Sequence, residues 1–126
     1  MIFSDCYDTQ VLKIDDESLE LAKKYILNGE LVGFPTETVY GLGAIAYSDD
    51  AVKKIYAAKG RPSDNPLIVH VHKDYDVDKL VSVKYDYVYK LREAFLPGPL
   101  TMVYPSKGMI SSVATCGLDT VGIRIP

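Results

Sequence analysis

The chain has 126 residues, a length that suits one domain burying roughly two thirds of the surface its unfolded form exposes. Its 48% hydrophobic and 25% charged residues exclude the disordered, collagen-like and coiled-coil classes. A net charge of −3 excludes a body that is cationic as a whole, so any nucleic-acid contact needs a local patch.

The opening MIFSDCYDTQ lacks the cationic start and apolar stretch of a signal peptide, and no apolar run approaches the ~20 residues that span a bilayer. The expectation is a cytoplasmic chain. Cys6 and Cys116 stand far apart without metal-ligand or CxxC spacing, which reads as reduced thiols.

DDESLELAKKYILNGE predicts a helix with Leu19, Ala22, Tyr25 and Ile26 on one buried face, stopped at Asn28 and Gly29. LVGF then reads as a short strand ended by Pro35, which lacks the ladder N–H, so PTET leaves a strand's carboxyl end. Asp49 and Asp50 can cap a second helix, DDAVKKIYAAKG, with Val52, Ile55 and Tyr56 on one face and Gly60 as its terminator. Lys59 therefore falls at a helix end. PLIVHV predicts a strand, and KYDYVYKLREAF a third helix packed through Tyr85, Val88, Leu91 and Phe95. TMVYP and VGIRI predict two further strands. Helices and strands interleave, which predicts an α/β or α+β fold on a mixed sheet. VGIRIP closes the sequence inside an apolar strand pattern, which reads as a chain cut short within its domain.

Three polar segments could carry chemistry. In PTETVYGLGA, Thr36 and Thr38 offer hydroxyls and Gly41 and Gly43 permit close backbone approach, as a binding loop or as a plain turn. Its GxGxxA spacing is a weak dinucleotide signal, because the helix that such a fingerprint requires begins only near Asp49. In KGRPSDNPLIVHV, Lys59 and Arg61 supply the point charge and the planar fork that phosphates need, or they complement a helix dipole. His70 shares a strand face with Ile68, as a core histidine or as a ligand contact. In CGLDTVGIRIP, Thr120, Gly122 and Arg124 alternate onto one face. Arg124 is there either an exposed-face residue or a partly buried guanidinium matched to a carboxylate or phosphate.

PTETVYGLGA, KGRPSDNPLIVHV, PGPLTMV and GLDTVGIRIP, in this order and spacing, resemble the YrdC-like family, whose best-known members are L-threonylcarbamoyladenylate synthases. The resemblance runs from about Leu31 to Pro126 and implies a twisted open mixed sheet with flanking helices around a concave, positively charged site. It also implies condensation of L-threonine, bicarbonate and ATP, with Mg²⁺ on the phosphates, into L-threonylcarbamoyladenylate and pyrophosphate. The downstream partner would be the machinery that transfers the threonylcarbamoyl group to adenosine 37 of tRNA. By motif position, Lys59, Arg61, Asn65 and Thr120 resemble the family's ATP-binding residues, and Thr38, His70 and Arg124 its L-threonine contacts. No residue is assigned as nucleophile or base, since positioning and charge stabilisation can supply most of the catalysis.

Family members continue past the IRIP strand into an SxNxSG segment that this sequence lacks. The resemblance thus implies that residues 1–126 are the amino-terminal portion of one YrdC-like domain, with a sheet incomplete at the carboxyl end, self-association through the exposed edge, and catalytic competence in question for the chain by itself. The alternatives are a double-stranded RNA or tRNA-binding YrdC-like module and the YrdC-like domain of a hydrogenase-maturation carbamoyltransferase.

Overall fold

A computed structural model of the chain describes residues 9–36, 38–60 and 65–126. Helix α1 spans Asp16–Leu27 and begins with a reciprocal cap: the Asp15 carboxylate accepts the Ser18 N–H at 2.8 Å, and Ser18 Oγ accepts the Asp15 N–H at 3.0 Å. Two donors without intrahelical partners are satisfied this way. The helix packs less deeply than its periodicity predicts, with no fully buried residue and Leu19 58% exposed. Leu21, Ala22, Tyr25 and Ile26 form its half-buried face instead.

Strand β1 (Val32–Phe34) pairs antiparallel with β2 (Gly41–Gly43) in a separate two-stranded sheet. GLG is thus a strand rather than a loop. Its glycines are explained by packing: a Cβ at Gly41 would sit 2.8 Å from two Phe34 ring carbons, and one at Gly43 would sit 3.0 Å from a third. The bare backbone makes room for an aromatic ring, and the weak dinucleotide spacing has this steric origin.

Helix α2 (Asp49–Lys59) is capped by the Ser48 side chain, with Asp49 and Asp50 in its first turn rather than at the cap, and is stopped by Gly60, whose φ of 60° is the left-handed conformation that glycine adopts without a steric penalty. The predicted face of α2 is buried, with Val52 2%, Ile55 6% and Tyr56 6% exposed. Strand β3 (Ile68–His70), a 3₁₀ turn at Val77–Lys79, helix α3 (Tyr87–Phe95), strand β4 (Thr101–Pro105) and strand β5 (Thr120–Arg124) complete the element order. The third helix starts three residues later than the predicted segment, leaving Tyr85 outside it and 62% exposed, and Phe95 at its end is 58% exposed.

β3, β5 and β4 form a mixed sheet in that spatial order, with β3 parallel and β4 antiparallel to the central β5. Both the helix and strand interleaving and the mixed strand directions expected from the sequence are present, with the strands divided between two small sheets. One face of the three-stranded sheet carries Val69, Tyr104, Val121 and Ile123 into a core shared with Val52, Tyr56, Leu80 and Val88. Leu80 and Val81, in the segment after the 3₁₀ turn, are each 1% exposed. Period-two alternation therefore leaves the opposite face of the sheet free to carry polar residues. No helix among the described residues is long and apolar enough to cross a membrane.

Candidate ligand-binding site

On that opposite face, strand register builds one row. His70 is the Cα partner of Arg124 across the parallel β3/β5 pair, and Thr101 is the partner of Arg124 across the antiparallel β5/β4 pair. Side chains at paired positions share a face, so the arginine lies between a histidine and a threonine. Its Nε–H donates to Thr101 Oγ1 at 3.0 Å. Neither terminal nitrogen of the guanidinium has a hydrogen-bond or ion-pair partner among the described residues. Arg124 is half-buried, the second of the two readings open from its sequence. A planar pair of N–H donors in this setting is matched to a carboxylate or phosphate.

His70 is exposed on this face, while its neighbour Val69 is 8% exposed in the core, so the core-histidine alternative does not hold. Partial desolvation, followed by the nearby charge of Arg124, holds the imidazole below its ordinary value of 6.5. The shift favours the neutral imidazole at pH 7, with one nitrogen able to donate and the other to accept.

The next row is centred on a glycine. Gly122 has no side chain and lies between Ile68 and Val103, its partners on the two flanking strands. A Cβ there would stand 3.3 Å from the Thr101 methyl and 3.9 Å from Ile68 Cγ1. Thr120, paired with Pro105, occupies the row beyond. Four residue steps along β5 separate Thr120 from Arg124, about 13 Å at strand rise. Asn65 lies just upstream of β3, towards the Thr120 end, and its backbone carbonyl accepts the Tyr56 hydroxyl at 2.6 Å. That bond ties the run into β3 back onto a buried residue of α2.

Among the described residues, Lys59 and Thr38 make no hydrogen bond to this row. Lys59 is exposed in the last turn of α2, with no hydrogen-bond or ion-pair partner among the described residues. That placement suits the helix dipole and equally leaves the ammonium available to a phosphate. Arg61 lies outside the described residues. Thr38 is exposed in the β1–β2 connection, where its N–H donates to Thr36 Oγ1 at 3.3 Å and the Thr36 hydroxyl donates to the Val39 carbonyl. Among the described residues no hydrogen bond joins Thr38 to His70, Arg124 or Thr120.

The structure thus gathers His70, Arg124 and Thr120 on one sheet face, with Asn65 at its approach, and adds Thr101 and Gly122. Sequence reasoning missed Thr101. PGPLTMV marked a strand start, but only the β4/β5 register shows that its hydroxyl meets an arginine.

The family model described as "Telomere recombination", which spans the Sua5, YciO and YrdC proteins, matches residues 24–126. The threonylcarbamoyl-AMP synthase of Pyrococcus abyssi is 46% identical over 90% of this chain and 34% of its own length. The threonylcarbamoyl-AMP synthase of Bacillus subtilis is 47% identical over 94% of this chain and 34% of its own length. Among solved structures, P. abyssi Sua5 complexed with L-threonine superimposes with a TM-score of 0.82 at 45% identity, covering 91% of this chain and 34% of that one. The chain spans about a third of the length of the curated relatives it matches (34%).

Proposed function

The chain belongs to the Sua5/YciO/YrdC family, and from that premise we propose that it forms part of a threonylcarbamoyl-AMP synthase, on which L-threonine, bicarbonate and ATP are condensed. The observation that carries this reading is the row of His70, Arg124 and Thr101, which offers an arginine fork and a neutral imidazole on one sheet face.

In the proposed reaction bicarbonate gives carbon dioxide and hydroxide; the threonine amine adds to the carbon dioxide and its lost N–H proton joins the hydroxide as water, leaving an N-carboxylate. One of its oxygens attacks the α-phosphorus of ATP; the bond from that phosphorus to the bridging oxygen breaks, and pyrophosphate leaves with the electron pair. No protein nucleophile is required, so catalysis rests on positioning and charge stabilisation. Arg124 would hold the threonine carboxylate through its terminal nitrogens, with His70 and Thr38 contacting the same substrate. Lys59 and Arg61 would hold phosphates, and Asn65 and Thr120 the nucleotide. The about 13 Å between Thr120 and Arg124 suits a ligand with a nucleotide at one end and an amino acid at the other. Mg²⁺ would arrive with ATP, coordinated by its phosphate oxygens. The product is the activated donor for threonylcarbamoylation of tRNA.

The test is pyrophosphate release by the longer protein that contains this segment. The expected result is release that depends on both L-threonine and bicarbonate, and that Arg124→Lys reduces at subsaturating threonine because it keeps the charge and loses the fork. Release that is indifferent to threonine would overturn the reading.

A further inference from the structure

We propose that Thr101 is a positioning residue for Arg124, fixing its guanidinium so that only the end-on pair of terminal nitrogens is presented to a carboxylate. The inference rests on the reading of Arg124 as a carboxylate fork. A guanidinium can meet a carboxylate side-on, through Nε and one terminal nitrogen, or end-on, through the two terminal nitrogens. The Nε–H of Arg124 is already donated to Thr101 Oγ1 at 3.0 Å. Side-on approach is closed by that bond, and the plane of the group is tied to β4.

Gly122 is the second part of the device. The Thr101 methyl lies toward Gly122, where a Cβ would come within 3.3 Å of it. With the methyl in that place the hydroxyl faces Arg124. A β-branched side chain has few χ1 states in a strand, so a threonine placed by its methyl keeps its hydroxyl in place too. The cross-strand partner of Arg124 on the other side is His70, whose imidazole senses the fixed positive charge.

His70 supplies a readout on the chain itself. The sequence holds two histidines, so NMR titration of the imidazole C–H signals gives two curves, assigned with His72→Gln. Thr101→Val keeps the methyl and shape and removes the acceptor; Thr101→Ser keeps the acceptor. The expected result is that Thr101→Val moves the His70 midpoint up toward its ordinary value, as Arg124 is released to solvent, while Thr101→Ser leaves it in place. L-threonine added to the same samples should bind about tenfold more weakly to Thr101→Val and unchanged to Thr101→Ser, the loss expected for one charge-assisted hydrogen bond. Gly122→Ala, which crowds the methyl, should move the His70 midpoint in the same direction as Thr101→Val. An unmoved midpoint in Thr101→Val, with its fold intact by circular dichroism, overturns the proposal, as does a shift of equal size in Thr101→Ser. A midpoint that moves in Thr101→Val, with L-threonine bound neither by this chain nor by the longer protein of the pyrophosphate test, supports the positioning role and overturns the threonine reading instead.

Discussion

The aromatic ring of Phe34 lies across the β1–β2 pair against Gly41, its register partner, so closely that a Cβ on Gly41 would sit 2.8 Å from two ring carbons. The hairpin that leads into and out of PTET is thus held by a ring on glycine. Phe34 is 38% exposed, so its ring can swing outward and the cost of crowding is the lost contact rather than a rigid clash. Gly41→Ala is expected to destabilise the hairpin by about 1 kcal/mol, and Gly43→Ala, with its wider clearance, by less. The check is amide hydrogen exchange across β1 and β2. Phe34→Ala in the Gly41→Ala background should be less than additive, because one contact accounts for both losses.

A pH dependence follows from His70. Its folded-state value lies below the ordinary 6.5, through partial desolvation and then the charge of Arg124. The unfolded chain takes up the proton first as pH falls, so the contribution to stability is present above pH 6.5 and is lost as pH falls through the folded value. Urea midpoints for the wild type should decline across this window. His70→Gln should decline less, and an equal slope in both would refute the assignment.

At alkaline pH the corresponding group is Tyr47. Its hydroxyl is hydrogen-bonded to the Tyr75 hydroxyl, and it is pushed up to about 12 by that bond, by desolvation and by the proximity of Tyr75. A raised acid ionises first in the unfolded chain, so the stability it contributes is present below pH 10.0 and is lost as pH rises toward about 12. In phenolate absorbance titrations, Tyr75→Phe should bring one ionisation down toward the ordinary range. A curve that simply loses one tyrosine, with no other change, would count against the pair.

Two ion pairs should behave unequally. Arg92 Nη1 pairs with Asp78 at 2.9 Å, donates through Nε to Tyr104 at 3.0 Å, and lies over the Tyr89 and Tyr104 rings at 5.4 and 5.1 Å. Its side chain is 18% exposed, against 45% and 55% for the two partners of Lys54–Glu30. Asp78→Ala is expected to cost about 1–2 kcal/mol because it leaves a mostly buried donor short of its acceptor. Glu30→Ala should cost about 0.5 kcal/mol or less, as exposed pairs do. Chemical denaturation of the two variants at fixed ionic strength measures the difference.

Much of this architecture was legible because it is local. The stop of α1 at Asn28, the Val52, Ile55 and Tyr56 face, and Gly60 at a helix end follow from helix-terminating residues and a 3.6-residue period. The placement of Thr120, Gly122 and Arg124 on one strand face follows from a period of two. The hairpin strand GLG was not legible, because its glycines carry no apolar alternation and are explained only by Phe34 across the pair. Leu19, Tyr85 and Phe95 fit helical spacing, yet the described residues leave them more than half exposed; spacing says which residues share a face and nothing about what covers it.

The sequence by itself determined which side chains alternate and where α1 and α2 stop, since backbone sterics and helix termination act over a few residues. Its ordered motifs also pointed to the family. Only the tertiary structure decided that Arg124 stands between His70 and Thr101. Pairing partner and register are non-local choices, settled when Val69, Tyr104, Val121 and Ile123 close one core, and a slip of one residue would have turned the same arginine to the other face.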